Sequence, residues 1–357
     1  MSGNLLPGAL IGGRYKIINY LGEGGMQYVY VARDNLTERN VALKTPKNKS
    51  ATKRFRRSAI VAAKVNHPNV AKTLDYIRED ESRYLIEELI VGSDMKAALL
   101  DKAEYLDPYL VAKILHHLAK GVAAAHHAGV VHRDLKPTNI MICGQYSLTE
   151  LKVTDFGIAK MASEELVQAV EGGEESLTTS QTAVGALPYM APEAIETPRD
   201  VTEAADIWSI GAMTYHLLCG KYPYGQGLRA VPKIVEAAEP EIPQFVMRNP
   251  QFAPLATEII EIMLSCLRKN PNDRPTADDL VQKCSQLCYS VSDRTIGVVN
   301  NFMYSAYGFI TTEQGSVFYH KNSVYGDLPK IGDEVVLASY DGGYAPRALP
   351  VLKLAKN

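Results

Sequence analysis

The sequence predicts an α+β chain with a small β-rich lobe that holds one main helix, a larger helical lobe, and a C-terminal β-barrel of five strands. From Tyr15 to about Tyr84, β-branched runs alternate with turns. After about Ser93, apolar residues recur at helical spacing. Beyond Gly297, short β-type runs are separated by turn residues.

These changes of pattern divide the chain into segments. The first is an N-terminal extension, and the second is a two-lobed domain over residues 14–287. A linker and the barrel follow. The predicted segments are 1–13, 14–92 for the small lobe, 93–287 for the large lobe, 288–294 for the linker and 295–357 for the barrel.

Helix signals place the main elements of the large lobe. Asp107 and Pro108 form an N-cap and N1 pair, and Gly129 ends the helix that they begin. The apolar run from Trp208 is too short to span a membrane and predicts a buried central helix. Thr276 and Asp279 predict a capping box.

Composition excludes several classes of protein. With 357 residues and 46% hydrophobic content, the chain can bury a large core. Lys plus Arg is 38 and Asp plus Glu is 40, and this balance argues against general binding to polyanions. The five scattered cysteines are typical of reduced thiols. The sequence shows neither a secretion signal nor a membrane span, so we expect a cytoplasmic protein.

A glycine-rich segment precedes a strand that ends in a lysine. Gly22, Gly24 and Gly25 lie between two predicted strands, where glycines let backbone amides approach phosphate oxygens. Gln27 stands where a third glycine is expected. The ammonium group of Lys44 can pair with phosphate. These features favour a phosphate site, and their alternatives are a turn without a ligand and a solvated lysine.

Further motifs follow in a fixed order. They are His132-Arg-Asp134-Leu-Lys136-Pro-Thr-Asn139, Asp155-Phe-Gly157 and Ala191-Pro-Glu193. Together with Lys44, this set resembles the eukaryotic-like Ser/Thr protein kinase family over about residues 14–287. The resemblance implies a bilobal protein kinase fold.

The resemblance also implies that the protein uses ATP and Mg²⁺ to phosphorylate Ser or Thr hydroxyls of protein substrates. Asp134 would accept or orient the hydroxyl proton, and Lys136 would steady the γ-phosphoryl group. A lysine at position 136 goes with Ser/Thr rather than Tyr specificity in this family. Asn139 and Asp155 would bind Mg²⁺, and Lys44 would bind phosphate.

The same resemblance assigns the nucleotide pocket. The backbones of Glu88 and Ile90 would hydrogen-bond the adenine edge, and Asp94 would meet the ribose hydroxyls. The apolar side chains expected around adenine are Leu21, Val29, Ala42 and Met141.

Two positions near Lys44 depart from the family pattern. Kinases usually carry a glutamate on the helix after the lysine strand, but Ser58 aligns with that position. Glu87 aligns with the gatekeeper position at the back of the nucleotide pocket, where an apolar residue is usual. We expect Glu87 to pair with Lys44, because an unpaired buried carboxylate would cost several kcal/mol or take up a proton. The alternative is a shifted register that points Glu87 outward.

The departures from the kinase pattern leave a second possible function open. Ala186 replaces a threonine that normally contacts the catalytic aspartate and lysine, and Gln27 and Ser58 also break the pattern. The alternative to an active kinase is therefore a weakly active or inactive nucleotide-binding scaffold that acts through the barrel. The presence of Asp134 together with both metal-binding residues favours activity.

The segment between Asp155 and Glu193 is rich in hydroxyl groups, and we expect autophosphorylation there. An acid-free basic run between Lys44 and Lys64 is either a solvated face or a receiver for that loop. The candidate phosphorylation sites are Ser176, Thr178, Thr179, Ser180 and Thr182.

Residues from about 295 to 354 resemble the cold-shock version of the OB barrel. In that family, aromatic side chains on one sheet face stack on unpaired bases. From Gly297 onward, five basic residues are balanced by five acids, so the electrostatic attraction to nucleic acid is weak. Binding of single-stranded RNA or DNA and docking of a protein stay as alternatives. The matching positions are Phe302, Tyr307, Phe309, Phe318 and His320.

Overall fold

The computed structural model describes residues 5–23, 27–47, 52–156, 185–198 and 200–355. Its small lobe is an antiparallel sheet in the order β1-β2-β3-β4-β6-β5, with helix α1 (Thr52–Ala62) between β4 and β5. Phe55 and Ala59 of α1 pack on Leu85 of the sheet. The predicted antiparallel sheet with one helix is confirmed. The strands are β1 (Leu10–Ile11), β2 (Tyr15–Glu23), β3 (Gln27–Asp34), β4 (Arg39–Pro46), β5 (Thr73–Glu79) and β6 (Ser82–Glu88).

The large lobe is mainly helical and carries a small antiparallel sheet of β7 (Ser93–Asp94), β8 (Ile140–Cys143) and β9 (Glu150–Val153). Its core is one cluster of buried side chains that includes Trp208. Its described α-helices are α2 (Pro108–His127), α3 (Pro192–Glu196), α4 (Ala204–Cys219), α5 (Val231–Glu236), α6 (Gln244–Arg248), α7 (Ala253–Cys266) and α8 (Ala277–Cys284).

The predicted helix signals are present. The Asp107 carboxylate accepts from the backbone N–H groups of the first turn of α2, and Gly129 follows that helix with a φ of +69°. Helix α4 is buried almost all round, and the capping box at Thr276 opens α8. Within the described part of the chain, no helix has both the length and the apolar character needed to cross a bilayer. The cytoplasmic location stays a prediction.

A closed β-barrel follows the large lobe, as the sequence predicts. Its sheet has the order β12-β11-β10-β14-β15-β13, and β12 also pairs with β15, which closes the barrel. Short β13 adds to β15 in parallel. The domain boundaries given above stay predictions. The barrel strands are β10 (Arg294–Met303), β11 (Tyr307–Thr312), β12 (Gly315–His320), β13 (Val324–Tyr325), β14 (Glu334–Tyr340) and β15 (Arg347–Lys353).

The side chain of Tyr325 is an aromatic anchor between the barrel and the large lobe. The ring of Tyr325 lies 5.6 Å from that of Phe245 and 5.4 Å from that of Phe252, and its hydroxyl donates to the Leu218 carbonyl at 2.9 Å. Gly326 has a φ of +77°, and a Cβ there would overlap the ring and hydroxyl oxygen of Tyr105. Glycine is therefore required where the chain passes Tyr105, and the two domains share one core.

An ion pair joins the first barrel strand to the N-terminus of α2. Arg294 Nη2 donates to Asp107 Oδ1 at 2.9 Å, and Arg294 Nη1 contacts the second oxygen. Asp107 is fully buried. Because buried carboxylates are costly without a cation, Arg294 stabilises both the helix cap and the docked barrel.

Arg294→Met is expected to lower the free energy of unfolding by about 3 kcal/mol, because it leaves the buried Asp107 carboxylate without its cation. Urea denaturation followed by circular dichroism measures this change. The double variant Arg294→Met with Asp107→Asn is the control and should recover part of the loss. A loss under about 0.5 kcal/mol for Arg294→Met, the size of an ordinary surface substitution, would contradict the prediction.

Candidate active site

The predicted catalytic loop, residues 132–139, is fixed by one buried carboxylate. Asp206 on α4 is fully buried and accepts from the backbone N–H groups of His132 at 2.8 Å and Arg133 at 2.7 Å. Arg133 has a φ of +67°, a left-handed conformation that costs a non-glycine residue about 1–2 kcal/mol. Asp206 therefore holds the strained backbone that presents the next residue, Asp134.

The carboxylate of Asp134 is held by two side chains from its own loop. Lys136 Nζ lies 2.8 Å from Asp134 Oδ2 and 3.1 Å from Oδ1. Asn139 Nδ2 donates to Oδ2 at 3.1 Å and to the Asp134 carbonyl oxygen at 2.8 Å. Ala186 is buried and offers no hydroxyl. Among the described residues, Lys136 and Asn139 therefore supply the side-chain hydrogen bonds to this carboxylate.

Lys44 is the charged centre of the cleft. Its Nζ lies 2.7 Å from Glu87 Oε2 and 2.7 Å from Asp155 Oδ1, and both Lys44 and Glu87 are buried. In the β4–β6 register Glu87 is opposite Ala42, so Lys44 lies two residues farther along the same face. The expected pairing of Lys44 with Glu87 is confirmed, and the alternative in which Glu87 points outward is wrong. The sequence of α1 contains no acidic residue that could take this place.

Burial and opposite charge act against each other in this cluster. Burial lowers the pKa of Lys44, but Asp155 and Glu87 outweigh it and hold the pKa above its ordinary value. Burial raises the pKa of Glu87 above its ordinary value, although Lys44 opposes that change. Burial would also raise the pKa of Asp155, but Lys44 and Gln27 bring it below the ordinary value. Asp155 therefore stays an ionised carboxylate.

Gln27 adds a contact that the sequence does not reveal. It is the first residue of β3 and is 5% exposed, and its Nε2 donates to Asp155 Oδ1 at 3.0 Å. Its Oε1 is buried and has no hydrogen-bond partner among the described residues. The sequence marks Gln27 only as a missing glycine, and no spacing rule links it to a residue 128 positions later.

The catalytic loop and the segment with Asp155 are joined directly. The backbone N–H of Thr154, one residue before Asp155, donates to the Asn139 carbonyl oxygen at 2.9 Å. The Thr154 hydroxyl donates to the same oxygen at 3.1 Å. The two predicted metal-binding residues therefore lie on adjoining, mutually bonded segments.

The residues expected around the nucleotide come from both lobes. In the small lobe, Gly22 lies opposite Val29 in the β2–β3 pair, and Leu21 is 57% exposed. In the large lobe, Asp94 lies opposite Met141.

The side chain of Glu88, at the end of β6, bonds within the protein. Its carboxylate accepts from the backbone N–H of Lys72 at 2.8 Å and from Lys152 Nζ at 2.9 Å. The backbone N–H of Glu88 donates to the Lys72 carbonyl oxygen at 3.0 Å, so the Glu88 carbonyl oxygen is the candidate backbone contact for adenine that the resemblance implies. Ile90 follows it in a half-buried position, and Ala42 is buried on β4.

Several predicted site residues lie outside the described part of the chain. They are Gly24, Gly25, Gly157 and the phosphorylation candidates Ser176, Thr178, Thr179, Ser180 and Thr182. The side chain of Ser58 lies outside it as well.

The barrel presents a row of aromatic side chains. Phe309 and Phe318 face each other across β11 and β12 with ring centroids 5.8 Å apart, and Tyr307 lies 5.6 Å from Phe318. His320 is opposite Tyr307 in the same register. The guanidinium of Arg347 lies 5.6 Å from the centre of the Phe318 ring, a contact that the sequence does not reveal.

Phe302 differs from the other predicted stacking residues. Phe302 is paired with Gly308, and Gly308 is paired with the fully buried Tyr319. The ring of Phe302 stacks on the ring of Tyr319, with the two centroids 6.1 Å apart. Residues paired across antiparallel strands share a face, so Phe302 lies on the inner face of the barrel. The prediction that Phe302 belongs to the row of Tyr307, Phe309 and Phe318 is therefore corrected.

Comparisons with known proteins identify the same family that the arrangement of Asp134, Asp155 and Lys44 indicates. The family model described as the protein kinase domain matches residues 15–284. The chain therefore belongs to the protein kinase family.

Among curated proteins, the chain is similar to bacterial serine/threonine-protein kinases. It is 32% identical to PrkC of Bacillus subtilis over 77% of this chain and 41% of PrkC. It is 33% identical to PkaA of Streptomyces coelicolor over 76% of this chain and 49% of PkaA. For PknA of Mycobacterium tuberculosis the identity is 33% over 74% and 58%. The chain thus spans about half the length of these relatives.

Among solved structures, the chain is similar to the kinase domain of PknI from Mycobacterium tuberculosis, which was crystallised as a point mutant. The TM-score is 0.57 at 22% identity, and the match covers 80% of this chain and 99% of that chain. This likeness shows the fold.

Lys44→Met is expected to destabilise the protein by about 3 kcal/mol, because it leaves the buried Glu87 carboxylate and the half-buried Asp155 carboxylate without a cation. Glu87→Gln should cost about 1 kcal/mol, because Lys44 keeps Asp155 as a partner. The double variant should be more stable than Lys44→Met alone. Urea unfolding measures all three.

The control for this cycle is Glu79→Gln, an exposed carboxylate at the end of β5. Additive effects of Lys44→Met and Glu87→Gln would contradict the coupling, since residues in one charge network are expected to be non-additive.

Proposed function

We propose that the protein is an ATP- and Mg²⁺-dependent Ser/Thr protein kinase. The observation that carries the proposal is the bonded unit of Asp134, Lys136 and Asn139, joined through Thr154 to Asp155 and Lys44. Such a unit offers a proton acceptor, cations for phosphate and oxygen ligands for a metal within one cleft.

The residues present fit magnesium nucleotide. Among the described residues, hydrogen bonds engage Oδ1 of Asp155 and Nδ2 of Asn139, which leaves Asp155 Oδ2 and Asn139 Oδ1 available as hard oxygen ligands. No group of three or more His, Cys, Asp or Glu residues converges into a metal site in the described ranges. This suits Mg²⁺, which binds through one or two protein ligands together with phosphates and water.

Each residue then has a distinct role. Bound Mg²⁺ would neutralise phosphate charge during transfer. In this proposal Asp134 orients the attacking hydroxyl and accepts its proton, and Lys136 balances charge on the transferred phosphoryl group. Lys44 pairs with the phosphates while Glu87 holds its ammonium group in place, the task that a helix glutamate has in most kinases.

The preference for Ser and Thr rests on two points of support. Lys136 stands at the position typical of Ser/Thr kinases, and the named relatives are serine/threonine-protein kinases. Autophosphorylation within residues 176–182 belongs to this proposal, since these hydroxyls lie in the chain's own activation segment.

Asp134→Asn is expected to reduce phosphoryl transfer from radiolabelled ATP by about two to four orders of magnitude, because the variant loses its proton acceptor. The assay measures transfer to the chain itself and to a generic acceptor protein with Ser and Thr. Peptide mass spectrometry then locates the modified hydroxyls.

Asp293→Asn, in the exposed segment before the barrel, is the matched control and should keep wild-type activity. Wild-type protein that binds magnesium nucleotide but transfers no phosphate would favour the alternative, a non-catalytic nucleotide-binding scaffold.

A second activity, binding of single-stranded nucleic acid, is proposed for the barrel. It is supported by the row of Tyr307, Phe309 and Phe318 with the guanidinium of Arg347 beside it. Aromatic faces stack on bases of any sequence, so such a row suits unpaired RNA or DNA. The competing function is protein docking on the same face.

Phe318→Ala is expected to weaken binding of a labelled single-stranded oligonucleotide to the full chain by about ten-fold, since one stacked base contributes about 1–3 kcal/mol. Fluorescence anisotropy at several salt concentrations measures the affinity. Exposed Tyr344→Ala, outside the aromatic row, is the control. Wild-type protein with no salt-dependent binding would favour protein docking.

A further inference from the structure

We infer that Gln27 is a positioning residue for Asp155 and that its amide oxygen accepts a hydrogen bond from the water shell of the divalent cation. The inference rests on the proposed kinase function, because it assigns a role toward the magnesium ion of that site. This role would explain why Gln27 stands where the third glycine of the glycine-rich segment is expected.

The orientation of the amide follows from its partner. The amide nitrogen of Gln27 lies 3.0 Å from Asp155 Oδ1 and donates to it, since an amide oxygen carries no proton to donate. The amide oxygen is then the atom left over. It is buried and has no partner among the described residues.

An orphaned amide oxygen is costly at this depth. Gln27 is 5% exposed, and a buried acceptor without a hydrogen bond costs about 1–3 kcal/mol. A residue retained only for packing would avoid this cost with an apolar side chain of similar length. The unsatisfied oxygen therefore points to a donor that arrives with the ligand.

The nearest cation in the cluster does not supply that donor. Lys44 Nζ contacts Glu87 and Asp155, and it makes no hydrogen bond to Gln27 Oε1. Magnesium keeps several of its waters when protein carboxylates bind it, and those waters are strong donors. The oxygen of Gln27 belongs to the amide whose nitrogen bonds Asp155, so an ion on that carboxylate would bring its waters toward this oxygen.

The proposed role resembles the support that metal-binding carboxylates generally receive from a second hydrogen-bonding partner. The amide nitrogen fixes the carboxylate, and the amide oxygen fixes a water of the same ion. Gln27 therefore couples β3, the strand after the glycine-rich segment, to the metal through Asp155 and through one water.

The test compares ADP affinity with and without Mg²⁺, measured by isothermal titration calorimetry on the full chain. Gln27→Met keeps the length and removes both polar atoms. We expect it to reduce the magnesium-dependent gain in ADP affinity by about ten-fold and to leave metal-free affinity near wild type.

Gln27→Glu gives a change of opposite sign. It places a second carboxylate beside Asp155, so repulsion should weaken metal-free ADP binding while Mg²⁺ restores it, and the magnesium-dependent gain should exceed that of the wild type. Exposed Gln282→Met on α8 is the matched control and should leave the gain unchanged.

Failure of this inference and failure of the proposed kinase function give different results. A wild-type gain that neither Gln27 variant alters overturns the role of Gln27 and leaves the proposed kinase intact. Wild-type protein that does not bind magnesium ADP overturns the proposed function and this inference together. Circular dichroism of both variants checks that a changed gain does not come from unfolding.

Discussion

The site depends on one buried ammonium group held between two carboxylates. Lys44 receives Glu87 from the neighbouring strand of the small lobe and Asp155 from the large lobe, each at 2.7 Å. In most kinases the first of these carboxylates comes from a mobile helix, whose position controls the ion pair. Here it comes from β6, whose last four residues, Leu85 to Glu88, are paired with β4. The pairing of Lys44 is therefore built into the sheet and does not require α1 to carry an acid.

The architecture of the large lobe supports this cleft from the opposite side. Asp206 fixes a left-handed backbone at Arg133, and Asp134 follows with its carboxylate already bonded to Lys136 and Asn139. Glu193 and the buried Arg274 form a bidentate pair, with Nη–Oε distances of 2.6 and 2.8 Å, at the start of α3. A strained backbone conformation persists only where surrounding contacts determine it, and the buried Asp206 carboxylate provides those contacts at Arg133.

Local patterns in the sequence were sufficient for much of the fold and for part of the site. Two helix starts could be predicted, one from Asp107 and Pro108 and one from the capping box at Thr276, because a cap bonds to residues only a few positions away. The Lys44–Glu87 pair could be predicted because Ser58 stands where the helix glutamate is usual and Glu87 places an acid where an apolar gatekeeper is usual. Contacts of Gln27 with Asp155, Arg294 with Asp107 and Arg347 with Phe318 could not, since they join residues far apart in sequence and depend on packing. Phe302 was misassigned because an irregularity in β10 between Val299 and Asn301 changes the alternation of its side chains.

The shared core around Tyr325 changes what the barrel can contribute to the enzyme. A module on a flexible tether samples many positions, and its benefit to a nearby reaction falls as the tether lengthens. This barrel is seated on the large lobe by Tyr325, Gly326 and Arg294, so its distance from the catalytic loop is set by side-chain packing. A target bound on its outer face would therefore be held at one distance and one angle from the catalytic loop. Selectivity among targets would then arise from their own dimensions as much as from the sequence around the phosphorylated hydroxyl.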